Sequence, residues 1–356
     1  MKDYFCMGIE YMAIASISLK HRNTFALPVN ALHLIIADRT ELMLKVWQQT
    51  QKYQIPLLVL GEGSNMLFLE DFSGTVMVNQ LKGINIKEKS DTWHLHVSSG
   101  ENWHALVCYT LARGIAGLEN LALIPGLVGS APIQNVGAYG IELKNICEYV
   151  DLLDLFTGSI NRIPGDECGF GYRESVFKYQ LQTQYIIIGL GLCLSKKWRP
   201  MLRYGDLTKL NPATVTPNQI FDSVCAMRRS KLPDYRKLGN AGSFFKNPLV
   251  SAEKYALLIS QYPNMSHYYQ DDGQVKLAAG WLIENCELKG YRVGGAAVYH
   301  NQALVLVNVN NATSQDVVSL ARHVRATVAF KFDIWLEPEV RFIGAMGELN
   351  AVEVLS

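Results

Sequence analysis

"IPLLVLGEGSNMLF", residues Ile55 to Phe68, is an apolar run that ends in a glycine turn. The run reads as a buried strand, and a glycine turn after such a strand is where dinucleotide-binding folds place a phosphate. The Rossmann fingerprint needs a third glycine and a following helix; here the glycine is missing and no helical pattern follows. Gly61 and Gly63 still let peptide N–H groups approach an anion closely, and Ser64 and Asn65 add donors. The stretch points to an anion-binding turn outside the Rossmann pattern. "GLGLC" (Gly189–Cys193) fails the same test and reads as strand packing.

The pattern continues on both sides of this turn. Residues 38–54 carry Leu42, Val46 and Trp47 at helical spacing. "GTVMVNQLKGINI" and "WHLHVSSG" read as strands, and "NWHALVCYTLARGIAG" as a helix with Trp103, Leu106, Val107, Thr110 and Leu111 on one face. "YVDLLDLF" and "QYIIIGLGLCLS" are further strands. Thr216-Pro217 opens a helix, threonine as N-cap and proline in its first turn, and Pro233-Asp234 marks a domain junction. Beyond it "VKLAAGWLIENCELKG" reads as a helix and "QALVLVNV" as a strand. Thr313 caps a long helix with Val317, Ala321, Val324 and Val328 on one face, and "IWLEPEVRFIG" reads as a strand.

The 356 residues suffice for two or three domains with a real core. Hydrophobic residues make up 49% and charged residues 18%, as in ordinary globular proteins. Lys+Arg 33 against Asp+Glu 32 leaves a net charge of +1, which gives no support for nucleic-acid or membrane-surface binding. The longest apolar run, Tyr185–Leu194, is about half a membrane span. Glu10 interrupts the mildly apolar N-terminus, which lacks a cleavage pattern, and Met7 or Met12 is an alternative start. Seven widely spaced cysteines, Cys6 among them, form no Cys-x-x-Cys, so a metal cluster or disulfide scaffold is not expected and a reducing cytoplasm is. His94, His96 and His104 raise the question of a metal, but on an alternating strand His94 and His96 read as surface residues.

Two sets of residues carry chemistry. Pro125–Gly140 holds Gly126, Gly129, Ser130, Gln134, Gly137 and Tyr139 without one charged side chain. Such a loop can wrap a pyrophosphate with backbone donors and pack against a flat ring; loops of this length are uncommon unless functional. "GFGYRES" (Gly169–Ser175), "GNAGSFFKNP" (Gly239–Pro248) and "LEPEVRF" (Leu336–Phe342) place Tyr172, Arg173, Ser243, Lys246, Asn247, Glu339 and Arg341 among glycines and apolar residues. Their separation in sequence leaves open whether they meet.

Together these motifs resemble the UDP-N-acetylenolpyruvoylglucosamine reductase (UDP-N-acetylmuramate dehydrogenase) family, flavoenzymes of peptidoglycan synthesis, from "NTF" at Asn23–Phe25 to the C-terminus. The likeness is to the branch with a tyrosine-bearing loop over the substrate channel, here "NMSHYYQDDG", with Tyr268 in the tyrosine's place and Tyr269 beside it. The resemblance implies an α+β protein: an FAD-binding unit of the vanillyl-alcohol-oxidase type, made of two α/β subdomains (20–80 and 81–232, with 336–356 returning to it), plus a separate α/β substrate-binding domain (233–335). Residues 1–19 form an N-terminal extension. It implies non-covalent FAD held by Gly61, Gly63, Ser64, Asn65, Pro125, Gly126, Gly129, Ser130, Gln134, Gly137, Tyr139 and Arg341, and NADPH as hydride donor. The substrate it implies is UDP-N-acetylglucosamine enolpyruvate, bound by Tyr172, Tyr204, Arg228, Lys231, Asn247, Tyr268, Lys289 and Gln302.

The implied reaction reduces an enolpyruvyl ether to a lactyl ether. Arg173 is expected to hold the growing carboxylate charge with its planar fork. Ser243 is expected to donate the proton and Glu339 to act in its protonated form; Lys246 or an ordered water then restores the Ser243 proton. The expected protein is a cytoplasmic monomer with no metal, nucleic acid or membrane partner. Two other readings stand beside this one: an oxygen-using FAD oxidase on the same fold, and a UDP-sugar-binding module without flavin.

Overall fold

Five antiparallel strands form the largest sheet, in the order Ile160–Pro164, Cys147–Asp154, Tyr185–Ser195, Thr92–Ser98 and Ile84–Glu88. The computed structural model that shows this describes residues 16–178, 184–270 and 272–356. The readings of Met7, Met12, Cys6 and most of the 1–19 extension lie outside the described residues.

Alternation decides which face of the sheet is buried. Leu95 and Val97 point inward while His94 and His96 take the opposite, partly exposed face. Behind the buried face lie α2 (Trp103–Leu111) and α3 (Pro217–Lys231), following α1 (Thr40–Lys52) in the chain. Trp103, Leu106 and Val107 of α2 and Ile220 and Val224 of α3 share one core with Val150, Leu190 and Leu192. Each such side chain contributes about 1.5–3 kcal/mol by leaving water. Asn102 caps α2 through the Ala105 N–H, and Thr216 and Gln219 cap α3 reciprocally, as the threonine-proline pair implied. Gly191 has a packing reason: a Cβ there would stand 2.3 Å from the Tyr149 ring, which covers the neighbouring strand.

This sheet belongs to a compact unit of residues 31–62 and 73–229. The unit's residues also build most of a smaller sheet, in the order Ile17–Ser18, Asn30–Ala37, Phe72–Asn79 and Leu57–Leu60, the last two parallel. There α1 buries Met43 and Val46 against Ala37 and Met77.

A second unit draws on three parts of the chain: 18–30, 63–72 and 230–356. One of its sheets runs Gly239–Ser243, Val305–Asn308, Ala296–Val298 and Arg292–Val293. Helices α4 (Ala252–Gln261), α5 (Ala279–Asn285) and α6 (Ser314–Phe332) belong to the same unit. Thr313 and Asp316 make a capping box at the start of α6, whose Val317, Ala321, Val324 and Val328 are buried as their spacing required. A three-stranded sheet joins Gly347–Leu349, Arg341–Gly344 and, in parallel, Met66–Phe68.

Three segments differ from their sequence reading. "GTVMVNQLKGINI" is two strands broken at residues 80–83. The stretch from Val275 to Gly290 is not one helix: Val275–Leu277 is a strand, and α5 covers only Ala279–Asn285. Val275 and Leu277 are buried on either side of Lys276, a period of two hidden at the head of a helical pattern. In "IWLEPEVRFIG" the strand begins only at Arg341, after Pro338, which has no N–H for a ladder. Among the described residues no helix is long and apolar enough to cross a membrane.

Candidate active site

The first unit gathers its expected residues around the glycine-rich loop. The chain enters that loop at Leu123 and turns through two short 3-10 segments, Val128–Ser130 and Pro132–Gln134. Gly126 has φ +113°, and its N–H donates to Glu62 Oε2 at 2.9 Å. The other Glu62 oxygen accepts from Asn102 Nδ2 at 2.6 Å. Glu62, the charged residue inside "GEGSN", therefore ties the turn after Gly61 to the second loop and to the start of α2. Sequence reading passed over it; a lone carboxylate between two glycines was the available signal. Further along, Gly129 donates to the Ser99 carbonyl at 2.8 Å, and Ser130 Oγ to the Leu127 carbonyl at 2.7 Å.

The far end of the loop meets the arginines. Arg173, with φ +57°, donates from Nη2 to the Gly137 carbonyl at 3.1 Å, and its guanidinium lies 5.5 Å from the Tyr172 ring. The Tyr204 ring packs over Gly140, where a Cβ would come within 2.9 Å of it. Arg228 reaches the same region from α3. Its Nε is buried with no hydrogen-bond partner among the described residues. Burial pulls the Arg228 guanidinium below its ordinary range, Tyr139 and Cys225 oppose that, and nearby Arg173 adds to it. Burial in turn raises the Tyr139 hydroxyl, against the pull of Arg228. Two cations that repel each other, one with a buried N–H unused among the described residues, call for an anion such as a carboxylate or diphosphate.

The second unit joins the other expected stretches. Asn23–Phe25 threads beside the first glycine turn: Thr24 N donates to Gly63 O at 3.1 Å and Asn240 N to Thr24 O at 2.8 Å. Gly63 has φ +63°, and a Cβ there would lie 2.1 Å from the Arg22 carbonyl, so only glycine fits. Among the described residues the peptide N–H groups of Gly63 and Ser64 donate to no acceptor. A bend with unused N–H groups suits a phosphate, so this turn fits FAD without a side-chain cation.

Ser243 ends a strand, and Phe244 and Phe245, which follow it, are fully buried. Phe244 meets Phe25, Phe245 and Phe342 edge-on with centroids 5.0–6.3 Å apart. "GSFFKNP" and "LEPEVRF" run antiparallel side by side: Phe245 bridges Pro338, Glu339 N donates to Phe244 O at 2.8 Å, and Lys246 N to Glu337 O at 2.8 Å. Asn65 closes the group, donating from Nδ2 to Glu339 O at 3.2 Å and accepting from Arg341 N at 3.1 Å. Arg341 pairs with Glu348, and Lys246 Nζ lies 3.3 Å from Glu337.

Substrate-side residues are less gathered. Asn247 Oδ1 accepts from Ala279 N at the head of α5, and Gln302 Oε1 lies beside Gly280 of the same turn. Lys289 stands past the other end of α5, exposed and paired with Glu284 at 2.5 Å. Lys231 is the exposed last residue of α3. In the strand His267–Tyr269, Tyr269 packs on Tyr255 and His267, with centroids at 5.8 and 5.3 Å. Alternation turns Tyr268 to the other face.

The family models agree with this division. Residues 31–163 match the model described as FAD binding domain, and 233–343 the one described as UDP-N-acetylenolpyruvoylglucosamine reductase, C-terminal domain. The chain is 60% identical to the UDP-N-acetylenolpyruvoylglucosamine reductase of Pectobacterium atrosepticum over 97% of its length and 100% of that protein. It is 58% identical to that of Escherichia coli, over 95% of this chain and 99% of the relative. A crystal structure of UDP-N-acetylenolpyruvylglucosamine reductase from Thermus caldophilus is similar over 92% of this chain and 98% of that one, with 25% identity and a TM-score of 0.66.

Proposed function

The chain belongs to the UDP-N-acetylenolpyruvoylglucosamine reductase family, and on that premise we propose that Arg173, Ser243 and Glu339 carry its chemical step. It is an FAD-containing oxidoreductase of peptidoglycan biosynthesis with NADPH as the hydride donor. Its substrate is UDP-N-acetylglucosamine enolpyruvate. The flavin-binding residues are those of the turn Gly61–Asn65 and of the loop Pro125–Tyr139, together with Arg341. The flavin subdomains are 20–80 and 81–232, rejoined by 336–356, and 233–335 is the substrate domain. Parallel pairing of Arg341–Ile343 with Met66–Phe68 supports the return.

Bound FAD supplies the hydride that ends on the β-carbon of the enolpyruvyl group. The alkene electron pair then moves toward the substrate carboxylate, and the chain must hold that charge and protonate the α-carbon. Arg173 holds the carboxylate through its fork, with Arg228 adding positive potential. Glu339 supplies a hydrogen bond to the same charge. Ser243 gives its hydroxyl proton to the α-carbon; a serine is a weak acid, but the carbanionic carbon is a far stronger base. Phe244 and Phe245 keep bulk water from the strand that carries it. Asn247, Gln302, Tyr172, Tyr204, Arg228, Lys231, Tyr268 and Lys289 bind the UDP-sugar.

The observation that carries this reading is the backbone pairing of Phe244–Lys246, the segment directly after Ser243, with Glu337–Glu339. The experiment is turnover with NADPH and the enolpyruvyl substrate. A product that gains two hydrogens by mass, in step with NADPH oxidation and unchanged when oxygen is removed, supports it. NADPH oxidation that depends on oxygen instead of substrate overturns it.

A further inference from the structure

His104 lies in the first turn of α2, outside every role assigned so far. Its Nδ1 accepts the Leu123 N–H at 3.1 Å, at the entrance to the glycine-rich loop. Leu123 has φ +56°, a left-handed conformation a leucine keeps only when its surroundings hold it. Three residues on, Gly126 is held by Glu62. The imidazole also lies flat on Phe221 of α3, with centroids 5.8 Å apart and planes 9° from parallel. With Nδ1 accepting, the ring proton sits on Nε2, which faces Cys108 Sγ at 3.8 Å.

We propose that His104 is a positioning residue for the glycine-rich loop, holding Leu123 through a neutral imidazole, so that the loop's grip on FAD weakens in acid. This rests on the reading that the loop binds FAD. Protonated Nδ1 would be a donor facing a donor, and the strained turn at Leu123 would lose its anchor. The charged and titratable groups facing the ring are Arg229 and Arg228 from α3 and Cys108 on its own helix. Burial first, then the two arginines, push the imidazole below its ordinary value of 6.5. The sign follows: the bond is fully present above that value and is lost as pH falls through the lowered one.

The test is the FAD dissociation constant, read from flavin fluorescence released by the holoenzyme between about pH 8 and about pH 5. The wild-type protein should weaken by about three- to tenfold on acidification, the loss of one hydrogen bond. Asparagine at this position offers Oδ1 in place of Nδ1 and does not titrate. H104N should match wild type at high pH and lack the acid weakening. H104L should be weaker by the same factor at high pH. The inference is overturned if H104N follows the wild-type pH profile, or if H104L binds FAD like wild type at high pH. A Gly126→Trp variant separates the two readings. Full FAD affinity there overturns the loop's assignment itself. Lost affinity there with an unchanged profile in H104N overturns His104 alone.

Discussion

The peptide N–H of Glu339 donates to the carbonyl of Phe244 at 2.8 Å, so the residue next to Ser243 and the residue bearing the carboxyl are joined backbone to backbone. Side-chain truncation at either position leaves that bond in place. Substitutions at Ser243 and Glu339 should therefore report chemistry with little disturbance of the fold.

Ser243→Ala should leave bleaching of the flavin absorbance by NADPH near normal. Recovery of that absorbance with the enolpyruvyl substrate should slow by about a hundred- to ten-thousand-fold, as for loss of a general acid. Ser243→Cys should retain more activity than alanine. Stopped-flow absorbance separates the two phases; equal slowing of both would make Ser243 structural.

Arg173→Lys keeps the charge but loses the fork and the Nη2 bond to Gly137. Turnover should drop by about a hundred- to a thousand-fold. Steady-state kinetics check this, and near-normal kcat would remove Arg173 from the chemical step.

Glu62→Ala should strand the Gly126 N–H and the Asn102 amide together. Each unsatisfied buried donor costs about 1–3 kcal/mol, and both donors serve the loop entrance. The expected result is a lower thermal midpoint and weaker FAD retention on gel filtration, with Glu62→Gln intermediate because it keeps one acceptor. Full FAD retention in the alanine variant would show that the loop does not depend on this anchor.

Tyr268→Ala should raise KM for the UDP-sugar, whereas Tyr269→Ala should act mainly on the stability of its strand. Tyr269 is engaged with Tyr255, hydroxyl to hydroxyl at 3.4 Å, and Tyr255 with His267 at 2.8 Å. The opposite pattern of KM changes would exchange their roles.

Periodicity made the helices readable: the α6 stripe and the Thr313 and Thr216 caps were legible because each depends on residues three or four apart. The strand Val275–Leu277 was misread for the same reason, since three residues carry too short a period to outvote a helical neighbourhood. The strand drawn through Pro338 was overextended because proline has no N–H to continue a ladder. The chemistry-bearing residues stood out by type, but their grouping did not. Asn65 and Glu339 are 274 positions apart, and no local pattern encodes a contact at that range. Glu62 and His104 escaped because their work is to accept one peptide N–H each, which leaves no spacing signature.

The parallel pairing of Met66–Phe68 with Arg341–Ile343 has a consequence for biosynthesis. On the ribosome the earlier strand leaves the exit tunnel long before its partner exists. At roughly 5–20 residues per second, the intervening chain takes on the order of 15–60 s to make. Throughout that interval an apolar edge stays open to other nascent chains. Premature termination just before Arg341 would make the exposure permanent, so truncated products should be those that aggregate or occupy chaperones.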